Sequence, residues 1–246
     1  MKLLVCVSKT PETTAKISFV DGNSAFNTEG VQFIMNPYDE WYALVRAIEL
    51  KEANGGTVTL INVGDASNDI IIRKGLAIGA DDAVRINANP KSAFETASLI
   101  ANYAKDQGYD IIFTGKESID YNGSEVGGIL AELLDLPFIS YATQLDVEGS
   151  TKKVVREIEG GQEEANVEGP LVLSAAKGMA EQRIANMRGI MMAKRKPLQV
   201  VDADPVDAQI TLESFEMPEA KGGVQMLDPE NMDELVRLLH EEAKVI

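Results

Sequence analysis

The chain has 246 residues, of which 45% are hydrophobic and 25% are charged, a composition typical of a globular protein with a sizeable core. Its formal net charge of −16 argues against nucleic acid as a general partner, because a phosphate backbone requires a basic surface. The single cysteine, Cys6, excludes an intrachain disulfide and a cysteine-cluster metal site, and the single histidine, His240, argues against a histidine triad or a zinc site.

Membrane insertion is not expected, because no apolar run approaches the roughly 20 residues that cross a bilayer. The apolar run at the N-terminus is too short for a signal peptide and is typical of a first β-strand. These features predict a cytoplasmic protein, or a protein of the mitochondrial matrix if the host is eukaryotic.

Strand-like and helix-like segments alternate along the first 135 residues. Strands are predicted at 3–7, 57–63, 83–86 and 111–113, with a small hairpin around residues 21–23. Helices are predicted to start at residues 36–37, 69, 89–90 and 126, with Asn36 as the first N-cap and Pro37 at the first helical position. This alternation predicts an α/β fold with a doubly wound, mostly parallel sheet.

The stretch 109–134 combines three features of a phosphate site. A buried strand, 111–113, leads into a polar, Gly-rich turn at 115–123, and a helix follows at 126–134. Free N–H groups at a helix N-terminus attract anions, and glycines let a ligand approach the backbone. An ordinary strand-to-helix turn that binds nothing has the same pattern, so both interpretations stay open on the pattern alone.

After residue 137 the pattern changes to alternating polar and apolar residues. Antiparallel strands are predicted at 138–147, 152–159 and 163–167, and one more buried strand at 170–175. We predict a nucleotide-binding α/β domain over residues 1–200 and an extended C-terminal arm over 201–246, with a strand at 209–215 and an amphipathic helix at 232–245. The apolar face of that helix folds back on its own domain or packs on a partner subunit.

Four motifs occur together in an order and spacing typical of one family. They are 35–39 (Met-Asn-Pro-Tyr-Asp), 75–81 (Gly-Leu-Ala-Ile-Gly-Ala-Asp), 115–120 (Gly-Lys-Glu-Ser-Ile-Asp) with Gly127, and Arg183 through 190–196 (Ile-Met-Met-Ala-Lys-Arg-Lys). With them the chain resembles the beta subunit of electron-transfer flavoproteins over nearly its full length. The resemblance implies a Rossmann-type fold like that of the adenine-nucleotide alpha hydrolases.

The resemblance also implies an electron carrier subunit rather than an enzyme. Such a subunit forms a heterodimer with an alpha subunit that carries the redox-active FAD. The pair accepts electrons from dehydrogenases, such as the acyl-CoA dehydrogenases of fatty acid oxidation, and passes them to a quinone oxidoreductase or a similar acceptor. Most beta subunits hold AMP, whereas those of the electron-bifurcating type hold a second FAD in the same pocket.

The family's nucleotide contacts transfer to matching positions of this chain. They are Cys6, Asn36, Pro37, Tyr38, Asp39, Val63, Gly64, Gly115, Lys116, Asp120, Asn122, Gly123, Ser124, Glu125 and Val126. Two departures bear on the ligand: Glu125 is acidic where the family usually has Gln, and Tyr121 is bulkier than the usual residue. AMP is therefore the expected ligand, and FAD in its place or an empty site remain the alternatives.

The segment 185–188 corresponds to the family's recognition loop, which docks dehydrogenases through an apolar side chain. Ala185, Met187 and Arg188 are the predicted docking residues, although Arg188 stands where the family usually has Pro. Simple packing of Met187 is the alternative. A second function class, a stand-alone nucleotide-binding protein or hydrolase of the same fold, needs a nucleophile or metal site near 115–127. The candidates there are Asp120 and Glu125, and the stretch contains no His or Cys.

Overall fold

The structure is a computed structural model that describes residues 1–220 and 222–246. Thirteen β-strands form within these residues: β1 Lys2–Cys6, β2 Lys9–Pro11, β3 Phe19–Val20, β4 Ala25–Phe26, β5 Phe33–Met35, β6 Thr57–Val63, β7 Asp82–Asn87, β8 Ile111–Gly115, β9 Phe138–Glu148, β10 Thr151–Ile158, β11 Gly161–Glu168, β12 Leu171–Ala175 and β13 Leu198–Asp202.

Six α-helices connect or follow these strands in the described residues. They are α1 Asp39–Asn54, α2 Asp69–Ile78, α3 Ala93–Ala104, α4 Val126–Leu134, α5 Met187–Ala193 and α6 Met232–Arg237. A 3-10 turn at Ala66–Asn68 precedes α2, and a π-helical turn at Leu238–Glu242 continues α6. The predicted bounds of β6 and α4 and the predicted start of α2 agree with the structure residue for residue.

Nine of the strands form one sheet in the order β11-β10-β9-β12-β8-β1-β6-β7-β13. Every neighbouring pair from β9 to β13 is parallel, and β10 and β11 add an antiparallel ribbon beyond β9. The predicted mostly parallel sheet with added antiparallel strands is confirmed. The small pairs β2-β5 and β3-β4 lie outside this sheet.

The sheet is covered on both faces. Leu3 and Val5 of β1 belong to a hydrophobic core shared with α1 and α2, whereas Leu4 and Cys6 belong to a second core shared with α3 and α4. Successive side chains of a strand point to opposite faces, so a strand buried on both sides must be apolar throughout. The doubly wound arrangement is therefore confirmed.

Two helices begin later than predicted. Helix α1 starts at Asp39 with Tyr38 as its N-cap residue, so Asn36 is not the N-cap and Pro37 is not in the helix. Helix α3 starts at Ala93, because the Ser92 side chain accepts a hydrogen bond from the Glu95 backbone N–H. A serine with an acidic residue three positions later forms a capping pair, and this pair overrides the start suggested by residues 89–90.

Residues after 197 differ from the prediction in two respects. Strand β13 pairs in parallel with β7, so the sheet continues to Asp202, two residues into the segment predicted as the arm. The strand predicted at 209–215 is wrong. Instead, the Phe215 ring stacks on Phe19 with ring centroids 4.7 Å apart, and its backbone N–H donates to the Asn23 carbonyl. Lys221, within the predicted arm, lies outside the described residues.

The C-terminal helix is confirmed, although it ends at Glu242 rather than at residue 245. None of its side chains is buried in the isolated chain. Within residues 1–220 and 222–246, no helix has the length and apolar character needed to cross a membrane.

Candidate functional site

The candidate site lies where the winding of the sheet reverses direction. From β1 the chain proceeds to β6 and β7 on one side, and it then returns to the other side of β1 to form β8. Ligands of open α/β sheets bind at such a switch point, beyond the carboxyl ends of the strands. Cys6 ends β1 and Gly115 ends β8, so two of the predicted site residues lie at this position.

Asn36 connects the segments that surround the switch point. Its side-chain amide donates to the Glu117 carbonyl at 2.9 Å and accepts from the Ile119 N–H at 3.1 Å, and its own backbone N–H donates to the Ser8 carbonyl. The side chain is fully buried, so these bonds satisfy polar atoms that would otherwise be costly. The structure thus assigns Asn36 a cross-linking role between the 36–39 turn and the loop after β8.

Gly115 lets the end of β8 approach the N-terminus of α1. A Cβ atom at this position would lie 2.8 Å from Glu40 Cγ, 3.1 Å from the Glu40 backbone nitrogen and 3.3 Å from Asp39 Cβ. Gly127 has a related role in α4, because a Cβ there would lie 2.8 Å from Thr114 Oγ1. Glycines of the motif therefore permit close backbone packing as well as ligand access.

Glu40 is a buried acid that the sequence analysis did not select. Its carboxylate accepts from the Ser8 backbone N–H at 2.7 Å and lies 2.6 Å from the Ser8 hydroxyl oxygen. Burial raises the pKa of the Glu40 carboxyl to about 8, and the charge of Asp120 adds to this shift. An acid in the first turn of a helix is ordinarily explained by the helix dipole. Only the packing of β1 and β8 against α1 shows that this one is enclosed.

The loop after β8 holds the predicted phosphate residues on the surface. The side chains from Asp120 to Glu125 are exposed, and Val126 is the first residue of α4. Within the described chain α4 has no side-chain cap, so its first N–H groups face the loop without one. Asn122 and Ser124 both adopt left-handed backbone conformations, with φ of 50° and 53°, which is uncommon for residues with a side chain.

Opposite charges are paired at the start of this loop. Lys116 Nζ lies 3.0 Å from a Glu117 carboxylate oxygen and 5.5 Å from the Tyr141 ring centroid. The contact with Lys116 lowers the pKa of Glu117, and the contact with Glu117 raises the pKa of Lys116. Burial raises the pKa of Asp39, an effect that Lys116 opposes. A cation is thus held beside a loop that is otherwise rich in carboxylates.

The turn after β6 is held by side chains from neighbouring elements. The Gly64 carbonyl accepts from the Arg85 guanidinium at 2.9 Å, and Arg85 also pairs with Asp69. A Cβ at Gly64 would lie 1.9 Å from Asn68 Nδ2, so the turn requires glycine. Val63, the last residue of β6, is thereby fixed at the same carboxyl edge of the sheet as Cys6.

The Cys6 side chain belongs to the second hydrophobic core rather than to an open site. Burial, followed by the nearby Glu40 carboxylate, raises the pKa of the Cys6 thiol far above its ordinary value. A protonated thiol is a poor nucleophile. Across residues 1–220 and 222–246, no group of three or more His, Cys, Asp or Glu side chains is arranged to hold a metal ion.

The predicted docking residues lie on and before α5, on the face of the sheet covered by α1 and α2. Met187 is 74% exposed and Arg188 is also exposed, whereas Ala185 packs on the hydrophobic core. Ile184 and Met191 are 80% and 68% exposed, so Met187 belongs to an apolar surface patch. We call Ile184, Met187 and Met191 the α5 patch.

The α5 patch is held on a rigid support. The Trp41 indole N–H donates to the Arg183 carbonyl at 3.0 Å, and the Arg73 guanidinium donates to the Ala193 and Lys196 carbonyls. Gly189 lies so close to α2 that a Cβ there would be 2.4 Å from the Ala77 carbonyl oxygen. Exposed flexible methionines on a fixed base are suited to docking partners of varied shape.

Comparison with known proteins identifies the family of the chain. The family model described as the electron transfer flavoprotein domain matches residues 24–206. The chain belongs to the electron transfer flavoprotein family. It is 36% identical to the electron transfer flavoprotein subunit beta of Bacillus subtilis, and 32% identical to that of Bradyrhizobium diazoefficiens, over the full length of both chains in each case.

The chain is also similar to a mammalian protein along its whole length. The chain is 30% identical to the electron transfer flavoprotein subunit beta of Mus musculus, with 100% of this chain and 99% of the relative covered. The similarity therefore includes the C-terminal arm as well as the sheet. The predicted family, the beta subunits of electron-transfer flavoproteins, is confirmed.

Proposed function

We propose that the chain is the beta subunit of a heterodimeric electron-transfer flavoprotein and holds AMP in the candidate site. It accepts no substrate of its own. The complex receives electrons from dehydrogenases, such as acyl-CoA dehydrogenases, and passes them to a quinone oxidoreductase or a similar acceptor. The observation that carries the proposal is the Asn36 cross-link, because it joins the turn 36–39 and the loop after β8 at the switch point of the sheet.

The residues at the site fit an adenine nucleotide with a small phosphate group. The uncapped N-terminus of α4 and the exposed loop 120–125 supply N–H groups for an anion. The buried Asn36 and the turn at Gly64 supply a rigid wall on the adenosine side. Asp120 and Glu125 add negative charge next to the loop, which limits the amount of phosphate that the site accommodates favourably.

FAD, carried by the alpha subunit, supplies the electron chemistry when it is bound. This chain holds the nucleotide and docks the partner proteins, and it carries out no reaction itself. Its nucleotide site stiffens the carboxyl edge of the sheet, and its α5 patch presents apolar side chains to a dehydrogenase. The exposed apolar face of α6 needs a partner surface, which the alpha subunit provides in this proposal.

Counting the nucleotides of the purified heterodimer tests the proposal. We expect one FAD and one AMP per heterodimer after denaturation, measured by absorbance and by chromatography against standards. Two FAD molecules and no AMP would assign FAD to this site and place the protein in the bifurcating type. A chain that forms no flavin-containing complex with its alpha subunit would contradict the proposed function and favour a stand-alone nucleotide-binding protein.

Replacement of Met187 by Asp tests the α5 patch. We expect the KM for a dehydrogenase partner to rise about tenfold or more, because a charge replaces an exposed apolar anchor at an interface. The measurement is the rate of flavin reduction as dehydrogenase concentration varies.

The matched control is Ile158→Asp, which places the same charge on a half-exposed apolar residue of the distant antiparallel ribbon. It should leave the KM unchanged, and both variants should retain the flavin and AMP content of the wild type. An unchanged KM for Met187→Asp would instead support simple packing at this position.

A further inference from the structure

The contact between Glu40 and Ser8 allows two hydrogen-bonding arrangements, which differ in whether the acid or the hydroxyl donates. Ser8 lies two residues after the end of β1, and its backbone N–H donates to one Glu40 oxygen at 2.7 Å. The second Glu40 oxygen lies 2.6 Å from Ser8 Oγ, and either of these oxygens can carry the shared hydrogen. When Glu40 is ionised, the Ser8 hydroxyl must donate to it. When Glu40 is protonated, the acid donates and the Ser8 hydroxyl keeps its own hydrogen for another acceptor.

The position of the pair makes this difference relevant to a ligand. Glu40 is enclosed, whereas Ser8 is only partly buried at the carboxyl edge of the sheet. Gly115, the first residue of the predicted phosphate loop, packs on Glu40 Cγ. A proton on Glu40 therefore removes one negative charge next to Gly115 and frees the Ser8 hydroxyl as a donor at the carboxyl edge of the sheet.

We infer that Ser8 and Glu40 form a proton-dependent anion donor in the nucleotide site: Glu40 takes up a proton when the nucleotide phosphate binds, and Ser8 then donates its hydroxyl to the ligand. Ser8 is a binding residue and Glu40 is a positioning residue in this arrangement. The inference rests on the proposed nucleotide function of the same site and adds two residues to it.

The charged and titratable groups around Glu40 are consistent with proton uptake. The charge of Glu40 acts on Cys6 of β1, whose thiol stays protonated, and Asp120 of the loop after β8 opposes the ionisation of Glu40. Asp39 precedes it on α1, and Lys116, the cation that acts on Asp39, is paired with Glu117. Burial, the largest effect, gives the carboxyl a pKa of about 8 before any ligand arrives.

A bound phosphate raises the pKa of Glu40 further, because two negative charges close together favour protonation. AMP affinity should therefore be greatest below pH 8 and fall as the pH rises above it. A single linked proton limits the loss to about tenfold per pH unit. The phosphate of AMP contributes little to this pH dependence, because its second pKa of about 6 leaves it almost fully ionised from pH 7 upwards.

The test measures AMP binding to the nucleotide-free full chain by calorimetry from pH 7.0 to 9.5, with adenosine as the phosphate-free probe. We expect AMP affinity to fall about tenfold or more over this range while adenosine affinity stays constant. Glu40→Gln mimics the protonated acid, because its amide oxygen accepts from the Ser8 N–H and its NH₂ donates to Ser8 Oγ. This variant should bind AMP at all pH values as tightly as the wild type does at pH 7.

Ser8→Ala provides a second, structurally mild variant that keeps the backbone N–H. It should bind AMP about fivefold to tenfold more weakly at pH 7, without change for adenosine. A wild-type affinity for AMP that is constant from pH 7.0 to 9.5, or a slope that Glu40→Gln retains, would overturn the proton linkage alone. Failure of both AMP and adenosine to bind at every pH would overturn the nucleotide assignment, and this inference with it.

Discussion

The substitution Gly115→Ala is expected to destabilise the protein by about 1–3 kcal/mol and to weaken AMP binding at least about tenfold. The added Cβ would lie 2.8 Å from Glu40 Cγ, closer than real Cβ contacts, and 3.1 Å from a backbone nitrogen, closer than most of them. Glu40 cannot swing away, because Ser8 holds its carboxylate. The end of β8 and the N-terminus of α1 must therefore separate, and the loop that follows Gly115 moves with them.

Gly128→Ala is the matched control for this substitution. Gly128 lies in α4, where an added Cβ would meet nothing closer than 3.6 Å, in the ordinary range of contact. Alanine is the better helix former by roughly 1 kcal/mol, so this variant should be as stable as the wild type or more so. Urea unfolding followed by circular dichroism measures both variants. Equal stability of Gly115→Ala and wild type would contradict the close packing at β8.

Removal of residues 208–246 is expected to abolish heterodimer formation while the nine-stranded sheet remains folded. The described residues of the deleted segment, 208–220 and 222–246, contain no strand of the sheet, and none of the helix side chains is fully buried in the isolated chain. An amphipathic helix with several apolar anchors contributes enough contact that its loss should weaken the complex at least about a hundredfold. The measurement is co-elution with the alpha subunit in size-exclusion chromatography with light scattering.

A point variant separates the role of the helix from that of the arm as a whole. Leu235→Asp with Leu239→Asp places two charges on the apolar face of α6 and the turn after it, and it should weaken the complex nearly as much as the deletion. Asp233→Asn, on the first turn of the same helix, should leave assembly unchanged. Normal assembly of the deleted chain would show instead that the sheet domain alone carries the interface.

The stacking of Phe215 on Phe19 is a contact of the arm that local sequence does not reveal. Phe215 lies in a segment whose alternating residues predict a strand, yet it stacks on Phe19 of the β3-β4 hairpin with an angle of 3° between the rings. Residues with high strand propensity form a strand only when a neighbouring edge is available. The sheet ends at β11 and β13, and residues 209–215 pair with neither of them, so an aromatic contact stands where a strand pairing was predicted.

The hydrogen bonds of Asn36 could not be predicted from the sequence around it. Asn followed by Pro is a good local signal for a helix start, and the motif at 35–39 leads to the separate prediction that Asn36 contacts a nucleotide. Its side chain nevertheless bonds to residues 81 and 83 positions away in the chain. A cap is a local interaction and is visible in sequence, whereas a bond across two loops depends on how the strands are ordered.

Local patterns were sufficient for the fold class and for most elements. Apolar runs at β1, β6 and β8 indicate strands buried on both faces, and the intervening helical periodicity requires parallel crossovers. Packing between distant segments was needed for the burial of Glu40, for the edge strand β13 and for the fixed position of α5. The physical reason is that periodicity encodes which face of an element is covered, while the identity of the covering residues arises only when the elements meet.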